Sequence, residues 1–357
     1  MVSLLQSQRW LKTAAASLLL ISTASAQTYS TCNPTQGTCP ADPALGTSKT
    51  ISLSSGAGSD FTASGSPTYG SDGASFTVAK SGDSPQLNSK WYIMFGRVEI
   101  TMKAAPGQGI VSSVVLQSDD LDEIDWEFLG GSATQVQSNY FGKGVAGSSD
   151  RAVIHTVADT QSQEHTYAID WNANQIVWSV DGTTVRALTY AAAAGQYPQT
   201  PMQVKIGAWA GGDTSANQQG TVQWAGGPTN FGAGPFTMSV RSVAVTDYST
   251  GTSYSYKDTT GTWQSIVAAG GSVNPSGSGS TTEAASPAIT STTSGSQAWL
   301  GTHRSQTTLD PSVNTNYPGL PAGWTVTSSG KVIPPASAGP VSMHRPSPLL
   351  FLHTTPI

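Results

Sequence analysis

The sequence predicts an all-β protein whose strands form an antiparallel β-sandwich. Short runs rich in β-branched and aromatic residues recur along the 357-residue chain and are bounded by turn formers, among them 38 Gly and 21 Pro. The chain lacks the long Leu-, Glu- and Lys-rich stretches that would form helices between parallel strands. Many strands without intervening helices favour two packed antiparallel sheets.

Eight runs are predicted to be strands because each combines β-forming residues with partial alternation of apolar and polar positions. An Asp181-Gly182 pair follows one of them and is typical of a tight hairpin turn. We therefore expect one β-sandwich domain over residues 27–265. The predicted strands cover residues 75–80, 96–104, 110–118, 135–142, 165–171, 175–182, 202–210 and 236–248.

The two ends of the chain differ from this domain in composition. Residues 1–26 combine an early basic pair, the apolar run AAASLLLIS and a final Ala-Ser-Ala, which is the pattern of a secretory signal peptide. Residues 266–297 are rich in Ser, Thr and Gly and are expected to form a stalk, and residues 298–357 to form an irregular, disordered tail. The final sequence PSPLLFLHTTPI contains only a short apolar run, so a lipid anchor is in doubt.

Secretion makes the two cysteines interpretable. Cys32 and Cys39 lie close together just after the predicted cleavage site, and in an oxidising compartment such a pair is expected to form a disulfide. Two cysteines without a nearby histidine supply too few ligands for a metal site, and no metal or cofactor is expected. The net charge of −5 and the lack of a Lys/Arg cluster argue against nucleic-acid binding.

The stretch DEIDWEFLG (122–130) carries the strongest functional signal. Residues 123–128 alternate strictly between acidic and apolar side chains, so on a strand Glu123, Asp125 and Glu127 share one face. The alternate residues, Ile124, Trp126 and Phe128, would face the core. We call the three carboxylate residues the acidic row.

Three interpretations of the acidic row differ in what the carboxylates would face. A solvated surface explains the charges but rarely needs acids at three successive positions, and a flat strand does not wrap a calcium ion. Glycoside cleavage needs two carboxyl groups on either side of one bond. Glu123 and Glu127 lie roughly 13 Å apart along an extended strand. Their side chains would therefore have to lean together to reach the 5–5.5 Å of a retaining mechanism.

The motif Glu-Ile-Asp-x-Glu resembles the active-site strand of glycoside hydrolase family 16. Over most of residues 28–265, further segments are similar to the fungal Crh-type cell-wall transglycosylases of that family. They include CNPTQGTCPADPALGTS, QSNYFGKG, HTYAIDWNANQIVWSVDG and AWAGGD followed by GTVQWAGGPTNF.

The resemblance implies a β-jelly-roll, concanavalin-like sandwich with a concave cleft, and a retaining double displacement. By position, Glu123 would be the nucleophile, Glu127 the general acid/base and Asp125 the supporting carboxylate. The resemblance also implies transfer of a chitin fragment to β-1,3/1,6-glucan or to chitin, in the cell wall and without a required protein partner. A monomer is expected. Two alternatives remain: a chitin or β-glucan hydrolase of this fold, and a lectin-like wall-binding protein without catalysis.

Sugar binding requires flat aromatic faces with polar groups around them. Trp209 and Trp224 are candidates because small residues flank both, and Tyr140 is a third. Asn139 and Gln137 share a strand face and could hydrogen-bond sugar hydroxyls. Structural roles are expected for other residues. Trp126, Trp171 and Trp178 should lie in the core, and Arg97 should pair with a carboxylate. The spacing around His155 and His165 suggests neither a metal site nor a catalytic triad.

Overall fold

The structure is a computed structural model that describes residues 30–145 and 151–277, and the backbone of two short strands further along the chain. The predicted signal peptide and most of the predicted stalk and tail lie outside the described residues. The strands at Thr325–Val326 (β19) and Val332–Ile333 (β20) pair with each other inside the segment that was expected to be irregular.

Two large antiparallel sheets form the domain. The first sheet has seven strands, in the spatial order β11 (Val153–Thr156), β10 (Gln135–Phe141), β9 (Glu123–Leu129), β8 (Ile110–Ser118), β15 (Met202–Ala210), β6 (Gln86–Ile93) and β3 (Phe61–Ser64).

The second sheet has eight strands. One of them, β2 (Ser48–Ser52), pairs with the second half of the long strand β16 (Phe236–Asp247). The other seven follow the order β14 (Thr183–Thr189), β13 (Gln175–Val180), β12 (His165–Trp171), β7 (Gly96–Lys103), β16 (Phe236–Asp247), β5 (Gly73–Val78) and β4 (Thr68–Gly70).

The two sheets pack face to face through aromatic side chains. Trp126 and Phe128 of β9 meet the ring of Tyr167 on β12, with ring centroids 5.7 and 4.7 Å apart. Trp126, Trp171 and Trp178 are fully buried as predicted, and each indole N–H donates to a backbone carbonyl, which satisfies its one polar group. The predicted antiparallel β-sandwich is therefore confirmed.

A small third sheet extends the fold past the predicted domain end. It joins β1 (Asp42–Pro43), β17 (Ser253–Tyr256) and β18 (Ile266–Ala269). Ile266 is buried, so β18 lies within the folded unit although its residues fall beyond the boundary expected at 265. The helical segments are short: α1 (Gln219–Trp224) and 3-10 turns at Ala191–Ala193, Phe231–Ala233 and Trp263–Ser265.

Three local predictions are also confirmed. Cys32 and Cys39 form a disulfide. Asp181 and Gly182 join β13 to β14, and both have positive φ values, 48° and 76°, as a tight hairpin turn requires. Arg97 pairs with Glu99 at 2.7 Å and with Asp170 at 3.4 Å on the outer face of the second sheet.

Candidate active site

Strand β9 presents two chemically opposite faces. Ile124, Trp126 and Phe128 are at most 1% exposed and point toward the second sheet. The acidic row therefore points away from it, as the alternation predicted. We call the face of the seven-stranded sheet that carries the acidic row the cleft face.

The cleft face is recessed, unlike an ordinary outer face of a sheet, which is exposed to solvent. Strand β8, the neighbour of β9, is buried at all nine positions, on both of its faces. Its residues Ser113, Val115 and Gln117 lie directly opposite Glu127, Asp125 and Glu123. They are only 1–3% exposed although they point away from the core. The carboxylates therefore stand on the floor of a depression, where water screens charges poorly.

Burial raises the pKa of every carboxyl group in the acidic row, and repulsion between neighbouring carboxylates raises the pKa of the two glutamates further. The pKa of Glu127 lies well above its ordinary value because of burial and the neighbouring Asp125 charge. Burial, Asp125 and Glu127 together raise the pKa of Glu123. Burial raises the pKa of Asp125 to about 7, while the nearby Glu123 carboxyl and the Arg186 guanidinium act in the opposite direction. Three such groups cannot all be ionised near pH 6.

The Glu123 and Asp125 carboxyl groups influence each other at close range, but neither oxygen of Asp125 makes a hydrogen bond of ordinary geometry with the described residues. Asp125 is 1% exposed, so its buried oxygens are shielded from bulk water.

Strand β10 supplies the polar neighbours on the other side of the acidic row. Gln137 lies opposite Glu127 and Asn139 opposite Asp125, so both predicted polar candidates do lie on the cleft face. The Asn139 side-chain oxygen accepts a hydrogen bond from its neighbour's backbone N–H at 2.9 Å. The Gln137 side-chain oxygen accepts one from the Trp224 indole at 3.4 Å.

Two tryptophans stand together beside the Glu127 end of the row. The rings of Trp209 and Trp224 are stacked, with centroids 6.2 Å apart and planes 24° apart. They pack with Val111 and Leu129, which are paired residues on β8 and β9. Trp209 is only 7% exposed because Trp224, carried by α1, covers it. Trp224 is the more exposed ring of the pair.

Comparisons with known proteins agree with this geometry. Residues 56–226 match the model of glycosyl hydrolases family 16. A Crh-like protein 4 of Aspergillus fumigatus is 51% identical over 332 residues, covering 88% of this chain and 73% of the relative. A Crh-like protein 4 of Botryotinia fuckeliana is 50% identical over 355 residues, covering 95% and 94%. The structure titled Crh5 transglycosylase in complex with NAG matches with a TM-score of 0.65 and 49% identity, over 66% of this chain and 99% of that one.

The chain belongs to glycosyl hydrolase family 16, in its Crh-like group. It is therefore a carbohydrate-active enzyme of the glycosidase and transglycosylase type, as the sequence predicted. Its acidic row lies in the sequence Glu-Ile-Asp-Trp-Glu, read along β9 from Glu123 to Glu127.

The position of Tyr140 in this Crh-like chain differs from the prediction. It lies opposite Ile124 on β10, so the strand alternation turns it toward the core, where it is 5% exposed. The guanidinium groups of Arg151 and Arg186 lie 5.8 and 5.5 Å from its ring centre. Tyr140 is thus a core residue beneath the cleft face, and the assignment to substrate binding is corrected.

One charged residue of the cleft face was not predicted from the sequence. Lys205 on β15 is 4% exposed, and its ammonium donates a hydrogen bond to the Gln117 side-chain oxygen. Burial lowers the pKa of Lys205 to about 8, against the opposing pull of the Glu123 and Asp119 charges. The signal was available, because Lys205 and Trp209 are four residues apart on one predicted strand and therefore share a face.

Both histidines have structural partners. His155 contacts the Ser138 hydroxyl at 2.8 Å, and burial lowers the pKa of His155 to about 4. His165 bridges the Asp181 carboxylate, 2.7 Å away, and a backbone carbonyl.

Within residues 30–145 and 151–277, no group of three or more His, Cys, Asp or Glu side chains has the arrangement of a metal site. No helix in the described part of the chain has the length and apolarity to cross a membrane.

Proposed function

We propose that this Crh-like enzyme is a retaining transglycosylase that cuts chitin and transfers the fragment to β-1,3/1,6-glucan or to chitin in the fungal cell wall. The observation that carries the proposal is the acidic row, three carboxyl groups with raised pKa values on a recessed sheet face. The relatives support the reaction class, since one of them is titled a transglycosylase and was solved with NAG, the sugar unit of chitin.

The roles of the two glutamates follow from what each step requires. Glu123, as the carboxylate, attacks the anomeric carbon of the donor sugar. Glu127, as the acid, gives its proton to the leaving glycosidic oxygen. The products are a glycosyl ester on Glu123 and the departing sugar chain. In the second step Glu127 takes the proton of an incoming sugar hydroxyl, which attacks the anomeric carbon and releases Glu123.

Asp125 has a supporting role in this scheme. Standing between the two glutamates on β9, it repels negative charge on both and so favours a state in which the row keeps a proton. Glu127 needs that proton to act as the acid. The raised pKa of Glu127 then serves the first step, because a carboxyl group with an ordinary pKa would already be ionised near neutral pH.

The remaining parts of the proposal concern binding and location. Trp224, supported by the stacked Trp209, supplies aromatic surface for a sugar ring, with Gln137 and Asn139 as hydrogen-bonding neighbours. The pattern of residues 1–26 supports secretion. The Ser/Thr/Gly-rich stalk predicted over residues 266–297 would begin after β18, because β18 uses the first four of these residues.

The test incubates the secreted protein with chitin oligomers and a fluorescent β-1,3-glucan oligomer and identifies the products by mass. A fluorescent hybrid larger than the acceptor is expected. Shortened chitin without a hybrid would establish a hydrolase and contradict transfer. If neither sugar changes while chitin oligomers still bind, the lectin-like alternative holds. The matched control is Glu123→Gln, which should bind chitin oligomers and form no hybrid.

A further inference from the structure

A buried lysine stands beside the proposed nucleophile. Lys205 is on the cleft face of β15, two strands from β9, with Val115 of β8 between it and Asp125 in the sheet register. Its side chain is 4% exposed although it does not face the sandwich core. Burying an ammonium group is costly unless a partner compensates it, so its position calls for an explanation.

The contacts of Lys205 lead toward Glu123. Its ammonium donates to the side-chain oxygen of Gln117, and Gln117 lies directly opposite Glu123 in the pairing of β8 with β9. The charges of Glu123 and Asp119 both act on Lys205. Asp119 itself accepts a hydrogen bond from the Tyr92 hydroxyl at 2.9 Å. Two carboxylates therefore act electrostatically on the lysine, and Gln117 accepts its hydrogen bond.

Glu123 is influenced by two negatively charged groups and by one positively charged group. Asp125 and Glu127, on its own strand, are acidic, and both raise the pKa of Glu123. Its paired neighbours, Gln117 on β8 and Phe141 on β10, are uncharged. Lys205, reaching over from β15, acts in the opposite direction and lowers the pKa of Glu123.

The second glutamate has a different environment. Burial and the Asp125 charge both raise the pKa of Glu127. Beneath the sheet, the Arg186 guanidinium acts on Asp125 from the core side. The two glutamates have the same side chain and strand face, and the lysine breaks the symmetry between them.

We propose that Lys205 is a positioning residue that keeps Glu123 ionised and holds its place through Gln117, and so assigns the nucleophile role to Glu123 and the acid role to Glu127. The inference rests on the proposed function. The proposed site then contains a positively charged residue on β15 in addition to the three carboxyl groups on β9. At a pH below about 8 the amine is protonated and can act in this way.

The test is the pH profile of kcat/KM for Lys205→Met, measured on chitin oligomers. Loss of the positive charge should raise the pKa of Glu123, so the acid limb of the profile should move to higher pH by about one unit or more. Lys205→Arg should return the limb toward its wild-type position. Lys103→Met, which removes the same charge from the outer face of the second sheet, should leave the limb in place.

A second measurement does not depend on turnover. An epoxyalkyl β-chitobioside esterifies the nucleophilic carboxylate, and the pH dependence of this inactivation reports the ionisation of Glu123. The same upward shift is expected for Lys205→Met. Should that variant fail to fold, Lys205→Gln keeps a hydrogen-bonding group beside Gln117 without the charge and should give the same shift.

Two outcomes separate the inference from the function. If the wild-type enzyme is labelled and turns over, and a folded lysine variant keeps the wild-type acid limb or loses activity equally at every pH, Lys205 is only structural and the inference is wrong. If the wild-type enzyme neither turns over nor is labelled, the proposed function fails, and the inference fails with it.

Discussion

Two groups of carboxylates on strand faces differ in what neutralises them. On the outer face of the second sheet, Glu99 and Asp170 both contact Arg97. On the cleft face, the acidic row has no arginine of its own and instead has raised pKa values. The first group is an ion-paired network on Arg97, in which Asp170 is buried and Glu99 is partly exposed. The second is compensated only in part, because Lys205 lowers the pKa of Glu123 and Arg186 lowers that of Asp125 while both pKa values stay raised. A fold keeps such a set at a cost to stability, and such sets concentrate at functional sites.

Residue type and alternation do not by themselves distinguish an acid with a structural role from one with a catalytic role. Glu99 and Glu123 both lie on strands with alternating side chains. What separates them is the countercharge at hydrogen-bond distance. Substitutions made in pairs, one in each group, therefore test the assignment directly.

The largest expected effect comes from Glu123→Gln and Glu127→Gln. Each should lower kcat/KM for chitin oligomers by about 10³-fold or more, since one loses the nucleophile and the other the acid. Glu99→Gln, the matched change on the outer face, should keep wild-type kinetics. Initial rates and a binding titration with chitin oligomers are the measurements. Full activity in either cleft variant would contradict the assigned roles.

A smaller loss is expected for Asp125→Asn, roughly 10–100-fold in kcat/KM, because Asp125 supports the glutamates without reacting itself. Its negative charge raises the pKa of Glu127, so removing it should lower that pKa. Glu127 must be protonated in the first step, and the alkaline limb of the pH profile should therefore move to lower pH. A profile measured from pH 4 to 9 checks this. An unchanged or higher alkaline limb would show that Asp125 does not act on Glu127.

The tryptophan pair should affect binding more than chemistry. Trp224→Ala is expected to raise KM for chitin oligomers about 10-fold with kcat nearly unchanged, the loss of roughly one to two kcal/mol of ring contact. Tyr140→Phe serves as the control, because Tyr140 lies on the core face and should leave KM unchanged. If Tyr140→Phe raised KM and Trp224→Ala did not, the placement of the sugar beside Trp224 would be wrong.

Much of this arrangement was predictable because the pattern is local. Strict alternation over residues 123–128 fixes the two faces of β9 without any knowledge of its neighbours. The same rule puts the Tyr140 side chain on the sheet face opposite to that of Gln137 and Asn139. Tyr140 was assigned to sugar binding because its aromatic character was given more weight than this alternation. Lys205 could have been found from its spacing to Trp209.

Other features depend on contacts between distant parts of the chain. Strand β6 (Gln86–Ile93) was not predicted, since Asn, Ser and Lys interrupt its β-forming residues, and it is held by pairing with β15 and β3. The stacking of Trp209 with Trp224 needs α1 to fold back over β15. The raised pKa values need the burial of β8 on both faces, which no local pattern encodes.

The smallest expected effect concerns stability and should have opposite signs in the two groups. The folded-state pKa of Asp125 is about 7, above its unfolded value near 4, so its contribution to stability is present below pH 4 and lost as the pH rises toward 7. Asp125→Asn removes this loss, and its melting temperature should exceed that of the wild type at pH 7 by about 2–4 °C, and by less at pH 4. Asp170→Asn should melt lower than the wild type at pH 7, because Arg97 loses a buried partner. Calorimetry at both pH values measures the two differences, and equal signs at pH 7 would contradict the distinction between an ion-paired and a partly compensated set of acids.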